Sequence, residues 1–300
     1  MAVPLVEIAK LSLEGLSQLV ALAVIETTEF GVFNRLLFET ESGSAHSYDQ
    51  LTTLPVAKRV GHNATTSQGE YGITKVTKDF KRYATEIPID TFTRRIHRGQ
   101  GIDPRAVANL AGGEAIRNLV DEDLITGDTT SNSLAFDGFE ALIDSAQEID
   151  AGGATFNITT RLMNQAFAKL KVGRDSAFWV MHSDGDIELR EVLGGKGGVG
   201  SHEIIVENFD GRPVLTYRGM PVFVNDFSGN GANTGDVWLA GGGPMGLRGV
   251  VPDGAAVVDS KVLGQVPGAP QETLYMEFVM LLKLANPLAL VRIKNIDFTA

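Results

Sequence analysis

Gly194-Gly195-Lys196-Gly197-Gly198-Val199-Gly200 is the stretch whose composition comes nearest to a ligand-binding loop. A phosphate cradle needs a Lys followed by Ser or Thr, opening a helix directly after a strand. Here Gly197 follows Lys196 and no helix opens, so the stretch reads as a loop. His182, Asp184 and Asp186 place three metal-ligating side chains in a short span. A metal site needs several ligands that converge, and the same residues serve equally as a strand end followed by a helix cap. The five histidines, His46, His62, His97, His182 and His202, contain no His-x-x-x-His pair. No Gly-x-Ser-x-Gly elbow is present. The acid pair Glu148 and Asp150 reads as solvated surface in a chain rich in acids. No catalytic, cofactor-binding or metal-ligating residue is assigned.

Composition narrows the classes further. With 300 residues and 43% hydrophobic content the chain can bury a real core, on the scale of about two ordinary domains. It has no cysteine, which excludes disulfides, thiolate metal sites and a cysteine nucleophile. Its net charge of −11 lacks the basic excess that drives phosphate binding. A wall facing packed DNA would behave this way, repelling the polyanion and not gripping it. Leu5 to Ile25 is apolar but interrupted by Glu7, Lys10, Glu14 and Gln18, which fits neither a secretory signal nor a membrane span. It reads as an amphipathic helix that packs on the body or on a neighbour.

The elements follow from periodicity and punctuation. Asp103 as N-cap and Pro104 at the first position start a helix that runs to Leu124. Val107, Leu110, Ala111, Ile116, Leu119, Val120 and Leu124 form its apolar set, and Gly127 stops it. Gly112-Gly113 in its middle predicts a bend or a close crossing. A second helix spans Thr159 to Lys171, with Leu162, Met163, Ala166, Phe167 and Leu170 on one face. Ala177 to Met181 suits a buried strand. Ser183-Asp184-Gly185-Asp186 suits a capping box for a helix through Val192. Tyr217 to Val224, Asp236 to Leu239, Tyr275 to Leu284 and Ala289 to Ile293 read as strands. The chain contains 34 glycines, many in Asp-Gly and Gly-Asn turns, and no repeat of fixed period. The class is α+β without regular strand–helix alternation.

Glu39 to Gln68 differs from the rest. It is rich in Ser, Thr, Gly, Asn and His, with His46 and His62 in its polar tips. Tyr71, Ile73 and Lys75 then alternate with small or polar residues. This reads as a long two-stranded arm. A lone hairpin is marginal in water, so the arm is expected to lie on another subunit. Lys58, Arg59, Lys75, Lys78, Lys81 and Arg82 make it basic while the whole chain is acidic. Lys58, Arg59, Lys75 and Lys78 are accordingly the expected contacts to an acidic neighbour, steered there by charge.

The order of these segments resembles the major capsid proteins of tailed bacteriophages, the Hong Kong 97-type fold. Lys81-Arg82-Tyr83-Ala84-Thr85-Glu86-Ile87-Pro88-Ile89-Asp90 looks like the strand by which that family's extended loop returns to the body. The helix Asp103 to Leu124, closing on Leu124-Ile125-Thr126-Gly127-Asp128, looks like its long spine helix, and Phe136-Asp137-Gly138-Phe139 like the turn after it. Phe178-Trp179-Val180-Met181-His182 and Gly219-Met220-Pro221-Val222-Phe223-Val224-Asn225-Asp226 resemble strands of its axial domain. Glu277 to Lys283 and Asn286-Pro287-Leu288-Ala289-Leu290-Val291 resemble its closing strands. The likeness runs from about Glu39 to the C-terminus through order and spacing, without a single tight motif.

That resemblance implies an N-terminal arm (1–38), an extended two-stranded loop (39–82), a peripheral domain (83–134 and 248–284) and an axial domain (135–247 and 285–300). It implies a structural protein and not an enzyme. Pentamers and hexamers would close into an icosahedral head in the host cytoplasm, enclosing double-stranded DNA without specific binding and without a membrane. Portal and decoration proteins would be its partners. No protease-removed segment precedes the arm, so a separate scaffolding protein, or none, would guide assembly. Some shells of the family join a loop Lys to a neighbour's Asn covalently, for which Lys58 is the donor by position and Asn286 a loose acceptor. An encapsulin-like bacterial compartment is the alternative. A soluble enzyme would need a convergent acid–base or metal cluster, and a minor decoration protein would lack the full set of segments.

Overall fold

The computed structural model describes residues 32, 36–53, 56–62, 70–92, 95, 104–152, 157–194, 206–209, 212–229, 234–253, 259–265 and 270–297. The expected N-terminal helix, the Asp103 cap, His97, His202 and residues 195–200 of the glycine-rich stretch lie outside them.

The first strands are β1 (Phe38–Glu41), β2 (Ala45–Thr53), β3 (Gly72–Asp79) and β4 (Lys81–Asp90), followed by the helix α1 (Pro104–Thr126). A short turn of helix, α2 (Phe139–Leu142), leads to β5 (Glu148–Asp150), α3 (Thr160–Lys169), β6 (Phe178–Met181) and α4 (Ser183–Gly194). Then come β7 (Val206–Phe209), β8 (Arg212–Val214), β9 (Thr216–Tyr217), β10 (Met220–Val224) and β11 (Thr234–Ala240). The chain closes with β12 (Leu247–Pro252), β13 (Asp259–Gln265), β14 (Gln271–Leu284) and β15 (Leu290–Asp297).

β14 organises one sheet. It carries β13 and β4 along its first part and β12 along its last, with β1 added in parallel beyond β12. Its first part alternates, burying Glu272, Leu274, Met276, Phe278 and Met280, as a strand with one covered face must. Glu272 is the polar member of that row, and the Arg105 guanidinium pairs with it. The second sheet runs β5-β15-β11-β6-β10-β9. Its central strands are covered on both faces. In β6, Phe178 and Val180 join the core that holds α1, while Trp179 and Met181 join the core beneath α3. Trp238 and Val237 divide in the same way in β11. Burial of every residue in Phe178–Met181 follows.

α1 is 23 residues long, about 34 Å at 1.5 Å per residue. Gly112, Ile116, Val120 and Leu124 are buried at a spacing of four along it. A Cβ on Gly112 would lie 2.5 Å from Met276 Sδ and 2.9 Å from Ile87 Cδ1, so the helix crosses β14 and β4 closely there. Leu110 and Leu119, expected on the apolar face, fall outside this stripe and are exposed. Gly127 ends the helix, its N–H donating to Asp123 O at 2.9 Å.

Two local expectations are corrected. Tyr217 to Val224 is not one strand: Arg218 (φ 55°) and Gly219 (φ 76°) make a two-residue turn between β9 and β10, with both central residues left-handed as such hairpins require. The capping box before α4 does not form as expected. Ser183 is already helical, and the His182 imidazole takes the capping role, Nδ1 accepting from Asp184 N–H at 3.2 Å. α3 starts as expected, with Thr159 accepting from Leu162 N–H.

Candidate assembly interface: the arm and its base

β2 and β3 form an antiparallel ribbon from Ala45↔Asp79 to Thr53↔Gly72, in one register as far as Leu51↔Ile73 and shifted beyond it. Phe80 N–H donates to Ser44 O at 3.2 Å and closes its base. On β2 the alternate residues His46 and Tyr48 turn inward and are buried, their rings stacked 5.8 Å apart. Gln50, two residues on, donates to Leu284 O at 3.4 Å. The period of two thus lays one face of the ribbon on the end of β14.

Charge completes this base. Glu39 on β1 accepts from Lys283 Nζ at 2.6 Å and from Arg248 Nη1 at 2.8 Å. Burial pushes the Glu39 carboxyl up, but those two hydrogen bonds outweigh it and hold it below its ordinary value. Lys283 Nζ also lies 5.5 Å from the centre of the Tyr48 ring. His46 sits between carboxylates, Nε2 3.8 Å from Glu39 and Nδ1 3.7 Å from Glu41, with no hydrogen bond to either ring nitrogen. His46 was expected in a polar tip. It is a base residue instead: Glu39 and Glu41 flank its ring, and Glu39 is in turn held by Arg248 and Lys283, which lie some 200 residues away in sequence and leave no local signal.

The other edge of the base belongs to β3. Lys78 forms an ion pair with buried Asp137, whose Oδ1 also accepts from Thr129 N–H at 2.9 Å and Thr129 Oγ1 at 2.5 Å. Burial pushes the Asp137 carboxyl up, and the bonds from Lys78 and Thr129 outweigh it and bring it below its ordinary value. Lys81 Nζ donates to Ser133 O at 2.7 Å, and Arg82 lies 3.7 Å from Glu277. A cleft of about 240 Å³ remains here, lined among others by Lys78, Lys81, Thr129, Phe136 and Asp137.

The four expected contact residues are therefore not brought together. Lys58 and Arg59 are exposed on the outer stretch of the arm. Lys75 is exposed on β3 opposite Asp49. Lys78, three residues on and so on the other face of the strand, is spent on its own chain's Asp137. What the outer arm presents besides charge is apolar: Val56 (73%), Tyr71 (65%), Ile73 (54%) and Val60 (42%) stand in solvent.

The remaining candidates are structural too. His182 Nδ1 lies 3.2 Å from Asp184, while Asp186 turns away to Arg190 at 2.9 Å. Glu148 is no free surface carboxylate. It bonds Lys294 at 2.9 Å and lies 3.6 Å from Arg292, which also holds Asp236 and Glu140 and packs 4.9 Å from the Trp238 ring centre. Asn286 caps the turn Pro287–Ala289, accepting from Leu288 N–H at 2.9 Å.

No family model matches the chain, and no curated protein matches its sequence. Solved structures do match. The holo-SrpI encapsulin complex from Synechococcus elongatus aligns with a TM-score of 0.71 at 13% identity, over 90% of this chain and 88% of that one. The capsid of the native GTA particle aligns at 0.65 and 14% identity, over 89% and 90%. The Mycobacterium phage Cain structure aligns at 0.59 and 16% identity, over 90% and 91%. The chain has the Hong Kong 97-type capsid fold shared by these particles.

Proposed function

We propose that the protein is a shell-forming capsid subunit, the major capsid protein of a tailed phage, built to assemble and not to catalyse. The observation that carries this reading is the arm. Its base is anchored by His46, Tyr48 and the Lys78–Asp137 pair, while Val56, Val60, Tyr71 and Ile73 are held out into solvent. Apolar side chains grouped on a projecting ribbon mark a partner surface, and the fold is that of particles made of many copies. Pentamers and hexamers would close into an icosahedral head around double-stranded DNA, with the acidic chain repelling the genome. Portal, scaffolding and decoration proteins would be partners. The proposed division is an N-terminal arm (1–38), an extended loop (39–82), a peripheral domain (83–134, 248–284) and an axial domain (135–247, 285–300), and the separation of the body strands into two sheets supports its last two parts.

An encapsulin-like compartment is the second reading, favoured by the TM-score of 0.71 to the encapsulin complex. Negative-stain microscopy with light scattering on the purified protein tests both. Closed shells or capsomer rings are expected. A subunit that stays monomeric at high concentration, alone and with the proteins encoded beside it, overturns the shell reading. Nucleic acid in shells recovered from the natural source supports the phage head, and a packaged enzyme supports the compartment.

A further inference from the structure

Residues 151–174 contain Arg161, Lys169, Lys171 and Arg174 and no carboxylate, in a chain of net charge −11. The end of α3 accounts for part of this. Lys171 Nζ donates to Ala168 O at 2.7 Å, and Arg174 donates to Leu170 O at 2.7 Å and Phe167 O at 3.1 Å. Cations suit the carbonyls and negative dipole of a helix C-terminus. Lys169 is likewise used within the fold, on Ala146 O and Glu148 O.

Arg218 has no such place at a helix end; its side chain bonds that of its neighbour Tyr217. It is exposed on the β9–β10 turn at φ 55°, a conformation that disfavours any residue with a Cβ and that Gly or Asn adopts more readily. Its guanidinium carbon lies 4.8 Å from the centre of the Phe167 ring, the same distance as that of Arg174. Two like charges therefore share one aromatic ring, and Lys171 bonds a carbonyl at the same helix end. Lys171, Arg174 and Arg218 form no ion pair with a carboxylate among the described residues; Asp175, next to Arg174 in sequence, is exposed and supplies none. A left-handed residue whose charge meets no carboxylate among the described residues points to a partner outside the fold.

We propose that Arg174 and Arg218 on the Phe167 ring, with Lys171 at the same helix end, form a contact for a carboxylate-bearing surface on a second copy of this chain; the proposal rests on the shell reading above. Charge selects the occupant. Each copy carries 37 acidic against 26 basic residues, so every neighbour offers surplus carboxylates, which guanidinium groups bind in a forked geometry. Nucleic acid is the poorer fit. The ring that would stack a base is covered by guanidinium groups, and the acidic chain opposes a polyanion.

The test compares assembly of the full-length wild type, Arg218→Gly and the double variant Lys171→Glu/Arg218→Glu, by light scattering over a concentration series at low and high salt. Arg218→Gly relieves the turn, so its thermal unfolding stays unchanged or rises while the concentration needed for assembly increases several-fold. The double variant raises it by about tenfold or more, because like charges then face each other. Carbodiimide treatment of shells mixed from two isotopically labelled pools links Lys171 to an Asp or Glu of the other pool. Wild-type assembly with both variants assembling at the wild-type concentration overturns the contact. Nucleic acid that co-purifies with wild type but not with the double variant, without links between pools, overturns it in favour of a polyanion site. A wild type that never assembles removes the shell reading and this contact with it.

Discussion

Lys78, on the second strand of the arm, is ion-paired with Asp137, on the loop that leaves α1, and this pair ties the ribbon to the body. Asp137 is buried and also accepts two bonds from Thr129, so its removal strands three donors. Asp137→Ala is expected to destabilise the subunit by about 2–4 kcal/mol. Lys78→Met should cost less, about 1 kcal/mol, because the lysine is partly exposed. The folded carboxyl lies below its ordinary value, so its stabilisation is present at neutral pH and is lost as pH falls through the folded pKa. Thermal unfolding of the unassembled subunit from neutral to acid pH checks this. Equal acid sensitivity in wild type and Asp137→Ala would refute it.

Glu188 predicts the opposite dependence. Its carboxyl is pushed up to about 7 by burial, aided by Asp297 and Glu191 and opposed by the bond from Ile158 N–H. A carboxyl raised above its unfolded value stabilises fully at low pH and loses that contribution as pH rises through about 7. Glu188→Gln keeps the acceptor for Ile158. It should remove, on the order of, 2–3 kcal/mol of destabilisation at pH 8 while leaving stability at pH 5 nearly unchanged. Urea unfolding at the two pH values decides it.

The two glycines inside α1 should behave differently. Gly113→Ala meets only Met276 Cε at 4.0 Å and should stabilise by about 0.5–1 kcal/mol through helix propensity. Gly112→Val drives a branched side chain into Met276 and Ile87 and should destabilise by about 2–3 kcal/mol. Matched denaturant midpoints for the two variants would mean the helix does not cross the sheet where it is placed.

The outer arm should separate folding from association. Tyr71→Ser with Ile73→Ser alters exposed side chains and should change stability by less than about 0.5 kcal/mol. Assembly, followed by scattering, should be strongly reduced. Neutralising Lys58 and Arg59 should slow assembly at low salt, with the difference fading as ionic strength rises. Wild-type assembly rates at every salt concentration would count against charge steering by the arm.

The legible parts of the sequence were those whose cause is local. The apolar run Tyr275–Leu284, the helical spacing from Thr159 and the Gly112-Gly113 pair declare a strand, a helix and a close crossing within a few residues. The turn at Arg218-Gly219 was missed because Arg is not a residue that announces a left-handed conformation. Glu39 carries no local signal because Lys283 and Arg248 define its role from the far end of the chain, and His46 is placed by Glu39, Glu41 and Tyr48 around it. Leu110 and Leu119 misled because helical spacing identifies apolar positions without saying which lie over the sheet.

The Glu39–Lys283 bond spans 244 residues, and Gln50 meets Leu284 across 234. During synthesis at about 5–20 residues per second, β14 emerges roughly 12–50 s after the arm. Throughout that interval the ribbon lacks the β14 part of its seat, and a ribbon alone is marginal in water. The buried face of the ribbon, with His46 and Tyr48, thus gains its last cover only when β14 has emerged.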